Sequence, residues 1–288
     1  MNRLPHPAVD DAWALESLAN NDALGSYPHL LMWVDAIAEG YEQYRASGGD
    51  ALHVVKVPIS QEVGDFLKGH YGSPPQDLAH IPLIREQSRH RLCPMCGSMR
   101  CGTLDHILPK ADFSEFSIFS LNLVPACDCN NKRGRSTTGA TPGARILHPY
   151  FDDCLSERLI SASFEDLGVV PRIGLTILID TTHPLFRAVE FHVKEIVGKS
   201  GILDYLLVRW SSFFEMPEQV VRALGEIPFS IIALRETLRR ELEMLDRHHK
   251  GRNNWDSVFI HGLMQDDVLD WLFACLTRPG RAQNDPLL

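Results

Sequence analysis

The 288-residue chain is long enough for one large domain or for two to three small ones, and its 44% hydrophobic content is ordinary for a globular protein. It has no run of eighteen apolar residues, and its first residues form neither a hydrophobic signal region nor a basic amphipathic segment, so we expect a soluble, cytoplasmic protein without membrane partners. A formal net charge of -9 argues against a general nucleic-acid-binding protein, because phosphate contacts require lysine and arginine.

The N-terminal region, residues 1–90, is predicted to be helical. Within residues 27–47 the apolar side chains recur at steps of three and four residues, which is typical of a helix with one buried face. The glycines of the turn at 47–49 should end this helix. Ser60 is a good N-cap for a second helix that ends near Gly69, and Pro82 should start or kink a third.

The cysteines are concentrated in one part of the chain, because five of the seven lie between residues 93 and 129. An odd total with such short spacings suits a metal better than a disulfide framework. Two close pairs of thiolates are typical of a closed tetrahedral zinc site that holds together a small module. The predicted ligands are Cys93, Cys96, Cys127 and Cys129. Cys101 is an alternative to one of the four, because one residue rather than the usual two separates the second pair.

An Asp-His pair lies between the two cysteine pairs, in a segment that we predict to be a short strand. Because adjacent strand residues point to opposite faces, Asp105 and His106 can serve different functions. A hard cation such as Mg²⁺ or Mn²⁺ prefers oxygen ligands, which Asp105 and an asparagine amide can provide. The imidazole of His106 then remains free to deprotonate water.

A basic segment surrounds this pair. Between residues 85 and 145 there are nine Lys and Arg against five acidic residues, in a chain that is acidic as a whole. Such a basic segment indicates local phosphate contacts, and the alternative is a solvated, arginine-rich loop. The residues predicted to contact nucleic acid are Arg91, Lys110, Lys132 and Arg133. His148, just beyond, is predicted to be a packed or capping histidine rather than a phosphate ligand.

The C-terminal part begins with two segments rich in β-branched residues, 158–167 and 169–180, which we predict to pair as a hairpin or small sheet. Four helical segments follow at 183–197, 202–224, 231–249 and 257–276. The sequence thus predicts an α+β protein that is mainly helical. Its expected regions are the helical residues 1–90, a central zinc-stapled module at 91–150, and the strands and helices of 151–288.

The central segment resembles the HNH endonucleases, whose ββα-metal module has an Asp-His pair on its first strand, an asparagine in the following loop, and an Asn or His on a short helix flanked by zinc-knuckle cysteines. The resemblance covers about residues 91–135. It implies that Asp105 binds the catalytic metal ion and that His106 is the general base. It also implies that Asn122 orients this base.

The resemblance leaves two alternatives for the last metal ligand. Counting from the preceding cysteine selects Asn130, whereas counting from Asn122 selects Asn131. Lys132 or Arg133 matches the basic position that follows in the family.

The implied function is that of a metal-dependent endonuclease that hydrolyses phosphodiester bonds in DNA, with Mg²⁺ or Mn²⁺ as the catalytic ion and Zn²⁺ as the structural one. A fainter similarity to HNH proteins of bacterial anti-phage systems implies a role in defence or restriction. The alternative, from another class, is a zinc-binding module that recognises nucleic acid or a partner protein without cutting. A third hypothesis makes the chain one subunit of a defence complex, with its acidic helical flanks as the docking surface.

Overall fold

The computed structural model describes residues 1–87, 92–225, 228, 230–282 and 285–288. Within these ranges the chain is mainly helical with two small antiparallel hairpins, which confirms the predicted α+β class. The helices are α1 Asp11–Asn20, α2 Val34–Ala46, α3 Gln61–Gly72, α4 His80–Gln87, α5 Cys129–Lys132, α6 Phe186–His192, α7 Ile202–Glu215, α8 Pro217–Val220, α9 Ile231–His249, α10 Trp255–Gly262 and α11 Asp266–Leu276. The strands are β1 Thr103–His106, β2 Leu123–Ala126, β3 Ile160–Glu165 and β4 Arg172–Ile177.

The N-terminal helices follow the predicted pattern with shifted ends. A 3₁₀ turn at His29–Trp33 replaces the first turn of the helix expected there, and α2 begins after it. Ser60 caps α3, since its Oγ accepts the amide proton of Val63 at 3.3 Å. Pro82 lies in the first turn of α4, where its missing N–H leaves no helical hydrogen bond unmade.

Two hydrophobic cores organise the molecule. The first contains the N-terminal helices, the β1–β2 hairpin and the buried cysteines of residues 93–129. The second contains β3, β4 and helices α6 to α11. The N-terminal helices and the central module therefore share one core, and the core changes near residue 150. The expected boundary between residues 90 and 91 lies outside the described residues.

The second hairpin is packed under the C-terminal helices. β3 pairs with β4 along its whole length, from Ile160 opposite Ile177 to Glu165 opposite Arg172. A Cβ on Gly262 of α10 would lie 2.7 Å from the Ala162 carbonyl, so this glycine lets α10 approach β3 closely. Among the described residues, no helix combines the length and the apolar character needed to cross a bilayer.

Candidate functional site

Four cysteines form the most concentrated group of metal ligands in the described residues. The Sγ atoms of Cys93, Cys96, Cys127 and Cys129 all lie within 4.8 Å of one another. The Sγ–Sγ distance is 3.6 Å for the Cys93–Cys129 pair and 3.4 Å for the Cys96–Cys127 pair. Four sulfurs bound tetrahedrally to zinc would be about 3.8 Å apart, so this donor set fits a structural zinc ion. Cys101 lies outside the cluster, and its thiol donates to the Leu92 carbonyl at 3.2 Å.

A tight turn presents the first cysteine pair, and we call residues 93–97 the knuckle turn. Gly97 closes it with φ +84°, and a Cβ there would collide with the Asn253 carbonyl and the Met1 nitrogen. Hydrogen bonds with neighbouring thiols lower the pKa values of Cys93, Cys96 and Cys127 and raise that of Cys129. Three of the four pKa values are thus shifted toward the thiolate form that zinc binds.

The β1–β2 hairpin and α5 surround the Asp-His pair. In the register of the hairpin, Asp105 lies opposite Val124 and His106 opposite Leu123, so both polar residues are at the end of β1. The first turn of α5 brings Asn130 to them, and its Nδ2 donates to Asp105 Oδ2 at 2.8 Å and to the His106 carbonyl at 3.0 Å. The structure therefore places Asn130 beside Asp105, whereas Asn131 is exposed.

The Asp105 carboxylate is held in its ionised form. Burial by itself raises its pKa, but hydrogen bonds from His106 and Asn130 outweigh burial and lower the pKa to about 2. Its side chain is 23% exposed, so solvent reaches it. An ionised, partly accessible carboxylate suits a hard cation.

The His106 ring has a defined tautomer. Its Nε2 lies 2.9 Å from the Ser117 carbonyl, and because a carbonyl only accepts, Nε2 must carry the proton. In the neutral ring Nδ1 is then the unprotonated nitrogen, and it lies 3.8 Å from Asp105 Oδ1. The ring is only 3% exposed because the ring of Tyr71 covers it at 4.3 Å between centroids. The expectation that this imidazole is free to deprotonate water therefore stays a prediction, because the ring is almost fully buried.

Asn122 is fully buried and does not touch the His106 ring. Its Oδ1 accepts from the Leu108 amide at 2.8 Å, and its Nδ2 donates to the carbonyls of Leu108 and Phe116, each at 3.1 Å. At 0% exposure Asn122 cannot meet a substrate, so the role implied by the resemblance, orienting the base, could only be indirect, and it stays a prediction. Asn122 fixes the β1–β2 loop (residues 107–122), which in turn carries the Ser117 carbonyl.

A buried hydrogen-bond chain supports Asn122 from behind. The hydroxyl of Tyr44 donates to Asn122 Oδ1 at 3.2 Å and lies 3.0 Å from Nε2 of His148. His148 Nδ1 accepts from the Tyr150 amide, so its Nε2 carries the proton that points to Tyr44. Burial lowers the pKa of His148 to about 3, which keeps it neutral. His148 is thus a packed histidine rather than a phosphate ligand.

The residues that were predicted to contact nucleic acid lie in different environments. Lys132 is exposed and pairs with Asp128 at 2.8 Å. The Lys110 ammonium lies 4.4 Å from the centre of the Tyr71 ring, at the edge of the site. Arg91 lies outside the described residues.

The assignment of Arg133 as a nucleic-acid contact is wrong for this arrangement, because its side chain is buried at 3% exposure. Its guanidinium donates to the carbonyls of His106 and Ile107 at 2.9 and 2.6 Å and to Asn130 Oδ1 at 2.6 Å. The resemblance implies that Asn130 or Asn131 binds the metal ion through its side-chain oxygen. In this structure the Asn130 oxygen faces Arg133, and its NH₂ group faces Asp105. Arg133 takes these partners because a buried guanidinium needs hydrogen-bond acceptors.

Sequence reasoning missed two groups of this site. Tyr71 comes from α3, outside the motif, and its helical spacing gives no sign of a contact with β1. Ser117 acts through its backbone carbonyl, which any residue type could supply. Neither has a sequence signal that could have identified it.

Comparisons with known proteins add a partial similarity. No protein-family model matches the chain, and no solved structure matches it. Protein ea31 of Escherichia phage lambda is 39% identical to the chain over 62 residues, which are 21% of each protein. The similarity thus spans about a fifth of that curated protein's length, and it does not establish a family.

Proposed function

We propose that the chain is a metal-dependent endonuclease of the HNH type that hydrolyses phosphodiester bonds in DNA. The observation that supports this most is the placement of Asp105 and His106 at the end of β1 beside Asn130 of α5. The neighbouring four-cysteine cluster supplies the structural site that such a hairpin and short helix would need, since they have little core of their own.

The protein groups can carry out the proton transfer that hydrolysis requires. His106 Nδ1 takes a proton from the attacking water, while the Ser117 carbonyl holds the other ring nitrogen in its protonated form. The nearby Asp105 carboxylate stabilises the imidazolium that results. Asn122 and the β1–β2 loop keep the Ser117 carbonyl in place.

The donor set fits a catalytic Mg²⁺ or Mn²⁺ in part. Asp105 would hold the ion, because its carboxylate is ionised and reached by solvent. Asn130 is the nearest further donor, although Arg133 engages its oxygen in this structure. A bound ion would supply Lewis-acid stabilisation of the charge that develops on the phosphate.

The variant His106→Ala tests the proposal. We expect it to reduce plasmid nicking in Mg²⁺ or Mn²⁺ by roughly 10² to 10⁴-fold, the usual contribution of a positioned base, while zinc content and circular dichroism stay unchanged. His183→Ala, in the C-terminal half, is the matched control and should cleave like the wild type. Full activity of His106→Ala, or no cleavage of any DNA by the wild type with either ion, would contradict the proposal.

A second candidate function is a zinc-binding module that recognises nucleic acid or a partner protein without cutting. The 3% exposure of His106 favours it, because a base needs access to water. The wild type would then bind DNA in the presence of Mg²⁺ or Mn²⁺ without nicking it. A role in anti-phage defence stays a prediction from the resemblance alone, and a partner docked on the acidic helical flanks stays a prediction from the charge distribution.

A further inference from the structure

We infer that the N-terminal helices α3 and α4 add a second phosphate-binding position to the candidate site, formed by Arg85 and Lys110 against the ring of Tyr71. This position would hold the backbone phosphate of a nucleic acid next to the one at Asp105 and His106. The inference rests on the proposed function, and it adds Tyr71 and Arg85, from outside the motif, to the substrate-binding surface beside Lys110.

Tyr71 connects α3 firmly to the site. It is 9% exposed, and its hydroxyl donates to the Leu104 carbonyl of β1. Its ring meets the His106 ring edge-on at an interplanar angle of 60°. The position of Tyr71 relative to the candidate base is therefore fixed by both its hydroxyl and its ring.

Two cations lie on this tyrosine. The Lys110 ammonium is 4.4 Å from the ring centre, and the Arg85 guanidinium carbon is 5.9 Å from it. Arg85 also interacts with the Tyr71 hydroxyl. Contacts of a cation with an aromatic face hold the side chain in place without neutralising its charge. We call Arg85 and Lys110 the cation pair.

Unlike other basic residues near the site, neither cation of the pair forms an ion pair with a carboxylate of the described residues, although the Asp105 charge acts on Lys110. Lys132 pairs with Asp128, Arg135 with Asp112 and Lys68 with Asp65. Burial lowers the pKa of Lys110, and the Asp105 charge opposes this effect. Two cations that are held in position, half-buried and not neutralised, suit an anion that arrives from solution.

The location of the cation pair selects the kind of anion. Lys110 is near enough to Asp105 to interact with its charge, so an anion on the pair would lie next to whatever Asp105 and His106 bind. A nucleic-acid backbone presents such consecutive negative charges. Contacts of this kind position the strand without reading its bases.

The test measures binding of a fluorescein-labelled DNA duplex to the full chain carrying His106→Ala, so that cleavage does not interfere. Arg85→Gln and Lys110→Gln, each added to this background, should weaken binding by roughly five- to tenfold at 0.1 M salt, because each lost phosphate contact removes about 0.9 of a log unit there. Each should also lower the slope of log K against log salt by about one. Lys199→Gln, an exposed lysine of the C-terminal half, is the matched control and should change neither quantity.

A double-mutant cycle tests the part played by Tyr71. Tyr71→Phe keeps the ring under Lys110 but removes the hydroxyl that contacts both Arg85 and the Leu104 carbonyl. We therefore expect its effect on binding to be non-additive with Arg85→Gln and additive with Lys110→Gln. Zinc content and circular dichroism verify that each variant folds.

The outcomes separate this inference from the proposed nuclease activity. Any of three results would overturn the inference. Both cation variants could keep the wild-type affinity and salt slope, Lys199→Gln could lose as much affinity as they do, or the duplex could fail to bind at all. If the wild type nicks DNA while the cation variants bind normally, the nuclease proposal stands and the second phosphate position fails. If the cation variants lose affinity but the wild type never cleaves, the phosphate position stands and the nuclease proposal fails.

Discussion

Several buried polar side chains around the candidate site are matched to backbone partners. His192 shows the pattern: it is fully buried, its Nδ1 accepts from the Leu147 amide at 3.0 Å and its Nε2 donates to the Met95 carbonyl at 2.6 Å. Both ring nitrogens are used in the neutral form, so a second proton would break one of the two bonds. Burial lowers the pKa of His192 to about 4.

This pKa predicts a loss of stability in mild acid. The unfolded chain takes up a proton near pH 6.5 and the folded chain only near pH 4, so the contribution is complete above pH 6.5 and falls as the pH drops toward 4. Between pH 7 and 5.5 His192 should cost the wild type about 1 kcal/mol of unfolding free energy. Urea unfolding at both pH values, in buffer with added zinc, measures it.

The control for this prediction is His192→Gln, which has no titrating ring. Its unfolding free energy should be lower at pH 7 but fall less between pH 7 and 5.5 than that of the wild type. Parallel losses in the two proteins would show that His192 does not titrate in this range.

The sequence located residues with a distinctive chemistry, such as the cysteine ligands. It missed groups that act only through their position in the fold. The four cysteines could be selected because few side chains bind metals and their spacing limits where they can meet, whereas the assignment of Asp105 to a metal ion stays a prediction. Arg133 was misassigned because a sequence shows a charge but not its burial. The Ser117 carbonyl could not be predicted, since the fold of the β1–β2 loop alone brings it to His106.

At the scale of elements, local signals predicted the central parts of helices and not their ends. Ser60 and the hydrophobic spacing behind it located α3, because capping and amphipathic packing are local properties. The segment 202–224 was expected to be one helix, but it divides at Pro217, which is the first residue of α8. Proline fits a first turn and interrupts a helix interior, so the break follows from its missing N–H.

Asn130 and Asn131 are neighbours on the short helix α5 and form a matched pair for mutagenesis. Asn130→Ala removes the hydrogen bond to the Asp105 carboxylate and one acceptor of the buried Arg133. We expect it to lower cleavage by roughly tenfold to hundredfold, since a hydrogen bond to a charged group contributes on the order of 1.5 to 3 kcal/mol. Asn131→Ala, one residue further on the exposed side, should cleave like the wild type.

Steady-state nicking with saturating Mg²⁺ or Mn²⁺ measures both variants, and zinc content verifies that the cluster is intact. If Asn131→Ala were the less active of the two, the placement of Asn130 at the site would have no functional meaning.

At the scale of the whole molecule, the knuckle turn is where the two hydrophobic cores meet. Its backbone carbonyls accept from outside the first core: Met95 from His192, Cys96 from Trp255 Nε1 at 2.9 Å and Gly97 from the Trp255 amide. Trp255 itself packs against both cores. The four-cysteine cluster is therefore braced by the C-terminal half as well as by its own hairpin.

The variant Trp255→Phe tests this bracing. It keeps an aromatic ring between the cores but leaves the Cys96 carbonyl without its donor, which should cost about 1 to 3 kcal/mol of unfolding free energy. We also expect faster transfer of zinc to a colorimetric chelator. Trp13→Phe, at a position that is 62% exposed, is the control and should match the wild type in both measurements. Unchanged zinc transfer in Trp255→Phe would show that the indole does not support the cluster.

The bracing of the knuckle turn also limits how this protein can be shortened. A fragment that ended at residue 150 would keep every residue of the motif, yet it would lose Trp255 and His192, the donors to three successive peptide carbonyls. Those carbonyls would lose their hydrogen-bond donors and would become exposed to water next to the thiolates. A scaffold that received the four-cysteine segment would therefore have to supply equivalent donors to these carbonyls, whereas deletions that spare Trp255 and His192 would leave the existing donors in place.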